Sequence, residues 1–81
     1  MFFSTNLKFL REREGTTQTD LARTLELSRT TLIGYEKKVQ PPFHKLIRIA
    51  EHFKIGLDAL IRYDLRKLSE FQLSEIERGM D

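Results

Sequence analysis

Cysteine is absent from the 81-residue sequence. Its absence excludes a disulfide framework and a zinc site with cysteine ligands, and it agrees with a reducing cytosol. Long apolar runs are also lacking. None approaches the roughly 20 residues that a membrane-spanning helix needs, and the first residues do not combine a basic start with an apolar run, as a signal peptide does. We therefore expect a soluble cytoplasmic protein without a membrane partner.

Catalytic patterns are missing as well. The sequence contains no glycine-rich phosphate loop, no nucleophile elbow and no recognisable Ser-His-Asp arrangement. His44 and His52 are eight residues apart on one predicted helix, too far to share a metal ion. Five glutamates are interpreted as solvated helix faces rather than paired catalytic carboxylates: Glu12, Glu14, Glu70, Glu75 and Glu77. We expect no enzymatic activity, no cofactor and no metal.

Helical periodicity is what the sequence does contain. Hydrophobic residues make up 40% and charged residues 32%, a balance typical of a globular domain rather than a disordered chain. The length suits one domain with a thin core. Strand-like alternation, low-complexity runs and useful repeats are lacking, so the predicted fold class is all-α. We expect a compact five-helix domain over residues 1–63 and a helical extension over 64–81.

The first two predicted helices have clear boundary signals. Thr5 or Asn6 is a candidate N-cap for the first helix, and Gly15 stops it. Thr17 is expected to cap the second helix, with Asp20 at its third position completing a pair that resembles a capping box. The buried face of the second helix is predicted to consist of Leu21, Ala22 and Leu25.

A turn of three residues, 26–28, leads into a third predicted helix. Ser28 is a good N-cap for this helix, which should run from about Arg29 to Lys37. Leu32 and Tyr35 are predicted to point inward. Two short helices joined in this way have the geometry of a helix-turn-helix, in which the second helix enters the major groove of DNA with its N-terminus first.

The outward face of the third helix carries residue types that suit base reading. Arg29 can form a bidentate pair with guanine, and Thr30 can reach a base edge or a thymine methyl. Ile33 offers an apolar contact to such a methyl, or else is partly buried against Leu46. Gly34 costs about 1 kcal/mol relative to alanine inside a helix. Either it lets the helix sit deeper against DNA, or it is a tolerated surface glycine.

Five further residues are predicted to contact DNA phosphates. Gln18 has a long neutral amide beside the unpaired backbone N–H groups at the start of the second helix. Lys37 and Lys38 follow the third helix, where the chain would run along the phosphate backbone. His44 lies at the start of the fourth helix. Thr31 either caps locally or touches a phosphate, and the sequence leaves both interpretations open.

The charge distribution favours a polyanion at the same place. The formal net charge is only +2. Residues 1–27 are neutral overall, whereas residues 28–54 hold six bases against two acids, which gives +4, and residues 55–81 sum to −2. A local basic excess suits contact with a polyanion in the middle third. A solvated charged face is the alternative.

The second half of the chain continues the helical pattern. The pair Pro41–Pro42 separates the third and fourth helices, and Gly56 is a weak cap for a short fifth helix. Ser69 and Gln72 are spaced as a capping box for a sixth helix, which Gly79 would stop. The apolar residues predicted to line these three helices are Leu46, Ile49, Ala50, Phe53, Leu57, Leu60, Ile61, Leu73 and Ile76.

Several of these stretches together resemble a known family. NLKFLR (6–11), QTDLA (18–22), LSRTTL (27–32) and YE (35–36) look like the lambda-repressor-like helix-turn-helix family of the Xre/Cro type, and the likeness continues to LDAL (57–60). The resemblance implies a compact five-helix domain that binds double-stranded DNA, usually as a homodimer on a two-fold-related operator. It also implies a bacterial or phage-encoded protein associated with the nucleoid.

The resemblance further implies roles for individual residues. Gln18 would hold a phosphate, and Arg11 and Glu36 would form an internal ion pair between the first and third helices. Two positions depart from the family pattern, because Glu26 and Lys38 stand where the family frequently has glycine. At the turn position, which is Glu26 in this sequence, that glycine adopts a left-handed backbone. The base-facing positions implied by the resemblance are Arg29, Thr30 and Gly34, and a glycine among them leaves specificity to rest heavily on Arg29.

The expected function is that of a sequence-specific transcriptional regulator that acts as a repressor. The extension over residues 64–81 would mediate dimerisation or lead to a further domain, since its apolar stripe reaches Met80; folding back on its own domain is the simpler alternative. A second class of function is a protein-interaction module, such as an antitoxin-like subunit that uses the same fold.

Overall fold

The structure is a computed structural model, and it describes residues 1–78. This part of the chain contains six α-helices. No strand occurs within this range, which confirms the all-α prediction, and no helix in it is long and apolar enough to cross a bilayer. The helices are α1 (Phe3–Glu14), α2 (Gln18–Thr24), α3 (Arg29–Lys37), α4 (Phe43–Phe53), α5 (Leu57–Arg62) and α6 (Glu70–Arg78), with a 3-10 turn at Leu65–Lys67 between the last two.

Three of the predicted boundary signals are confirmed. Gly15 ends α1 with a left-handed backbone, at φ 80°. The hydroxyl of Thr17 accepts a hydrogen bond from the backbone N–H of Asp20 at 3.1 Å, and that of Ser28 accepts one from the N–H of Thr31 at 3.0 Å. Each cap satisfies a backbone donor that has no partner within its own helix.

The predicted cap of the first helix is wrong. α1 already begins at Phe3, and the residue before it, Phe2, makes no side-chain cap bond. Thr5 and Asn6 therefore lie inside the helix. The physical reason is packing: Phe3 is only 1% exposed, and burying a large aromatic ring outweighs a side-chain cap of about 1 kcal/mol.

Asn6 instead joins the two ends of the domain. It is fully buried, and its amide nitrogen donates to the carbonyl oxygens of Leu60 and Tyr63 at 2.7 and 2.6 Å. Its Oδ1 accepts from the backbone N–H of Leu65 at 3.0 Å. A buried polar side chain is tolerated when it is hydrogen-bonded in this way, and here it satisfies backbone groups at the end of α5 and in the 3-10 turn.

The core confirms the helix phases read from the sequence. All the inward residues predicted for α2, α3 and α4 are buried, whereas on α5 Leu60 is buried and Leu57 and Ile61 are partly buried. The core also contains Ile55, which was not predicted, and Leu65, one of the apolar residues that follow the fifth helix; they are 2% and 0% exposed. Both lie outside the regular helices, where periodicity gives no information.

The extension begins with the predicted capping box. The N–H of Ser69 donates to the side-chain oxygen of Gln72 at 2.9 Å, and the N–H of Gln72 donates to the hydroxyl of Ser69 at 3.1 Å. Leu73 is 3% exposed and belongs to the core cluster, with Ile76 partly buried beside it. The predicted stop at Gly79 lies outside the described residues.

Arg13 ties α1 to the extension. Its guanidinium lies 2.9 Å from the carboxylate of Glu70 and 2.7 Å from that of Glu77, and hydrogen bonding to Arg13 holds the pKa of Glu70 below its usual value. Glu14 pairs with His52 at 3.0 Å. Glu70 and Glu77 thus form ion pairs with Arg13, and Glu14 contacts His52. The sequence did not indicate these contacts, because the partners are distant along the chain.

Candidate nucleic-acid interface

The turn between α2 and α3 contains one residue with a strained backbone. Glu26 has φ 59°, so it adopts the left-handed backbone for which glycine is preferred. The next N–H, that of Leu27, donates to the carbonyl of Ala22 at 2.8 Å, which closes the chain against the end of α2. The turn keeps its shape although Glu26 replaces glycine, at a cost of roughly 1–2 kcal/mol.

The first turn of α3 presents two polar side chains to solvent. Arg29 and Thr30 are exposed, and neither side chain forms a hydrogen bond or an ion pair within residues 1–78. Ser28 holds the backbone beneath them through its cap on Thr31. This end of the helix is therefore fixed, while the groups it carries are free to bind a partner.

The other end of α3 is anchored by a nearly buried carboxylate. Glu36 lies 2.6 Å from the Nε of Arg11 through one oxygen, and the second oxygen accepts from another guanidinium nitrogen at 3.2 Å. The side chains are 4% and 11% exposed, respectively. Hydrogen bonding to Glu36 raises the pKa of Arg11 above its ordinary value, although burial opposes the shift. The pair fixes α3 relative to α1.

Gln18 joins the same group, a contact that the sequence reading did not anticipate. Its amide nitrogen donates to the carboxylate of Glu36 at 3.1 Å, so the first residue of α2 is linked to the end of α3. A primary amide has two N–H donors, and Gln18 is half-buried rather than enclosed. One donor therefore remains for a phosphate.

Thr31 is already engaged locally. The hydroxyl of Ser28 donates to the hydroxyl oxygen of Thr31 at 2.8 Å, and Thr31 is half-buried. The side chain of Thr31 thus contacts the capping residue and, within residues 1–78, does not itself cap a backbone group. A phosphate contact would use the hydroxyl hydrogen of Thr31, which this bond does not occupy.

Ile33 and Gly34 lie at the margin between core and surface. Both are half-buried. A Cβ atom added to Gly34 would lie 3.4 Å from the Cγ2 of Val39 and 3.7 Å from its Cβ, which is ordinary van der Waals contact. Internal packing therefore does not demand glycine at this position. Lys38, the second departure from the family pattern, has φ −148° and needs no glycine either.

The basic residues near α3 are largely unpaired. Of the six bases between positions 28 and 54, Arg48 is in an ion pair, 3.5 Å from Glu26. The arginines of the flanking thirds whose side chains the structure describes all have carboxylate partners: Arg11, Arg13, Arg23, Arg62 and Arg66. The bases of the middle third without an ion-pair partner in the described range are Arg29, Lys37, Lys38, Lys45 and Lys54.

Two of the predicted phosphate contacts, Lys37 and Lys38, are among these unpaired bases. Lys37 and Lys38 are exposed at the end of α3, and His44 is exposed in the first turn of α4. No acidic side chain among residues 1–78 neutralises either lysine. A surface that retains its positive charge beside an anchored helix suits a polyanion.

A family model described as a helix-turn-helix domain matches residues 5–63. The chain belongs to the helix-turn-helix domain family. The match covers all of α2, α3, α4 and α5 and is consistent with the lambda-repressor-like resemblance. No curated relative and no solved structure gives a significant match.

Membership of the helix-turn-helix family points to a DNA-binding regulator in general terms, since this motif places its second helix in the major groove. Domains of this family are typically not enzymes. Within the part of the chain that the structure describes, no cluster of three or more His, Cys, Asp or Glu residues is placed to hold a metal ion.

Proposed function

We propose that the protein is a sequence-specific regulator of transcription, acting as a repressor, that reads the major groove of double-stranded DNA with α3. The observation that carries this proposal is the contrast between the two ends of that helix. Glu36 is locked to Arg11 at one end, whereas Arg29 and Thr30 are exposed and unpaired within residues 1–78 at the other. A recognition helix needs unpaired side chains that can contact bases. It also needs a fixed position, because rigid positioning limits the entropy lost on binding.

The base-reading roles follow from side-chain chemistry. The guanidinium of Arg29 matches the O6 and N7 acceptors of guanine, and Thr30 next to it can bond a base edge or contact a thymine methyl. Ile33, one turn further along, is half-buried and offers apolar surface. Gly34 has no side chain of its own to reach a base, and the packing around it does not require glycine.

Phosphate contacts would come from the residues around this helix. Lys37 and Lys38 are free of ion pairs in the described structure, so each can displace a counterion from DNA. His44 at the start of α4 and the second amide donor of Gln18 would also bond phosphates. Thr31 would contribute its hydroxyl hydrogen.

A homodimer is the expected active form. One recognition helix covers only a few base pairs, and two copies about 34–36 Å apart would read two half-sites. We assign DNA binding to residues 1–63 and dimerisation to the extension over 64–81. Phe71 on α6 supports this assignment, because it is 74% exposed while the opposite side of α6 packs against the domain through Leu73. The DNA partner would place the protein at the bacterial nucleoid.

Selection from a random duplex pool, followed by a mobility-shift assay, tests the proposal. We expect one enriched motif with two-fold symmetry, bound at least about a thousandfold more tightly than a scrambled duplex. Recovery of no motif, together with equal weak binding to all duplexes, would overturn the regulator proposal. A protein-interaction module, the alternative function, would give that result.

A further inference from the structure

Val39 occupies the space in front of Gly34. It is 55% exposed, and it lies two positions beyond the end of α3. Its Cγ2 is 3.4 Å from the point where a Cβ of Gly34 would stand. Val39 therefore lies in the direction in which a side chain at Gly34 would project.

The backbone holds Val39 in this place. The carbonyl oxygen of Gly34 accepts hydrogen bonds from the N–H groups of Lys38 and Val39, at 3.1 and 3.0 Å. The residue is thus attached to the last turn of α3 although it lies outside the helix. A β-branched side chain is also stiff at χ1, so its two methyl groups have little rotational freedom to lose on binding.

We propose that Val39 is a specificity-determining residue, which contacts the C5 methyl group of a thymine and replaces the missing base-reading side chain of Gly34. The inference rests on the proposed function, because Gly34 faces DNA only if α3 is the recognition helix. A thymine methyl is the apolar group that the major groove displays. Val39, Ile33 and the bare backbone of Gly34 would together form an apolar end of the reading surface, opposite Arg29.

A simpler role for Val39 is to cover the backbone of Gly34. That role leaves half of the side chain exposed to water with no partner, and it would make the residue indifferent to DNA sequence. The two roles differ in one measurable respect, namely whether binding depends on a methyl group of the DNA.

The test replaces each thymine of the selected operator by deoxyuridine, which removes the C5 methyl and changes nothing else. We expect the unaltered protein to bind about fourfold more weakly when one particular thymine is replaced, because roughly one methyl group loses its apolar contact. Val39→Ala should bind the thymine operator more weakly and lose the sensitivity to that replacement. Val39→Ile, which keeps the methyl branch, should retain it.

Three outcomes separate the possibilities. If deoxyuridine replacement has the same effect on the unaltered protein and on Val39→Ala at every position, or if no replacement weakens binding, Val39 reads no methyl and the inference is overturned while the regulator proposal stands. If no operator is selected at all, the regulator proposal itself fails and takes this inference with it. Ile47→Ala, which removes another exposed apolar side chain, serves as the control and should leave the deoxyuridine pattern unchanged.

Discussion

Arg11 and Glu36 connect the last turn of α1 to the end of α3 by two hydrogen bonds, at 2.6 and 3.2 Å. Their side chains are 11% and 4% exposed, so the pair is largely shielded from solvent. Arg11 also donates to the carbonyl of Thr16 at 3.0 Å, and Gln18 donates to Glu36. The orientation of α3 therefore depends on a charge pair near the end of the helix that is distant from Arg29.

Replacing Arg11 by alanine should destabilise the fold. Removal of one partner from a nearly buried ion pair leaves the other charge without compensation, and we expect a loss of about 3 kcal/mol in the free energy of unfolding. Urea denaturation followed by circular dichroism measures this loss. Arg23→Ala is the matched control, because its pair with Asp20 is 75% and 58% exposed and should contribute less than about 0.5 kcal/mol. Equal stability of the two variants would contradict the structural role of the pair.

Local features of this fold were predictable because local spacing encodes them. The caps at Thr17 and Ser28 and the inward side chains Leu32 and Tyr35 all follow from helical periodicity and from the needs of helix termini. The capping box of α6 was equally legible. A resemblance to a known family suggested that Arg11 meets Glu36, since nothing in the spacing of residues so far apart indicates a contact.

Contacts between distant segments were the features that the sequence did not reveal. Asn6 was read as a local cap, although its partners lie 54 to 59 residues away. Arg13 gave no sign of its pairing with Glu70, which lies 57 residues further along the chain. Each of these contacts depends on how the helices pack. The amino-acid composition of the two segments does not determine that packing.

Lys37 and Lys38 should control how strongly binding depends on salt. Each phosphate contact releases counterions, so the logarithm of the affinity should fall with the logarithm of the salt concentration by about 0.9 per contact. Lys37→Ala or Lys38→Ala should each flatten this slope by roughly 1 and weaken operator and random duplex alike. Lys67→Ala, an exposed base on the 3-10 turn, is the control and should leave the slope unchanged. An affinity independent of salt would refute binding through the phosphate backbone.

Arg29 should determine sequence preference rather than general affinity. Arg29→Ala is expected to cost about 1–3 kcal/mol on the selected operator and far less on random duplex, because a bidentate contact to guanine is lost. Its unfolding midpoint should stay unchanged, since Arg29 is exposed and unpaired within residues 1–78. Arg62→Ala removes an exposed arginine from α5 and should alter neither affinity. An equal loss on both duplexes for Arg29→Ala would make this residue a phosphate contact.

Glu26 offers a route to a more stable protein. Its φ of 59° costs roughly 1–2 kcal/mol, and glycine removes this strain but adds about 0.5–1 kcal/mol of backbone entropy in the unfolded chain. Glu26→Gly should therefore raise the free energy of unfolding by about 0.5–1 kcal/mol, a change measurable by urea denaturation. Lys54→Gly, at the other left-handed non-glycine residue, φ 55°, should give a similar gain. A lower free energy of unfolding in both variants would show that neither backbone is strained.

The two faces of α6 differ, because one face packs against the domain and the other carries Phe71. Leu73 is 3% exposed and packs into the core, and Arg13 holds α6 through Glu70 and Glu77. These contacts account for the inner face of α6. Phe71, at 74% exposed, is not explained by them, and a large aromatic ring left in water is a typical component of a protein interface.

Phe71→Ser should therefore convert the proposed dimer into a folded monomer. We expect sedimentation to show the change in mass, circular dichroism to show an intact fold, and operator binding to become weaker and non-cooperative because each half-site is then read alone. Phe43→Ser is the matched control, since Phe43 is 67% exposed but lies on α4, and it should remain dimeric. Deleting residues 69–81 should also give a monomer while keeping the bond between Asn6 and Leu65. A truncated protein that still sediments as a dimer would place the interface elsewhere, and an unfolded one would show that the core cannot form without Leu73.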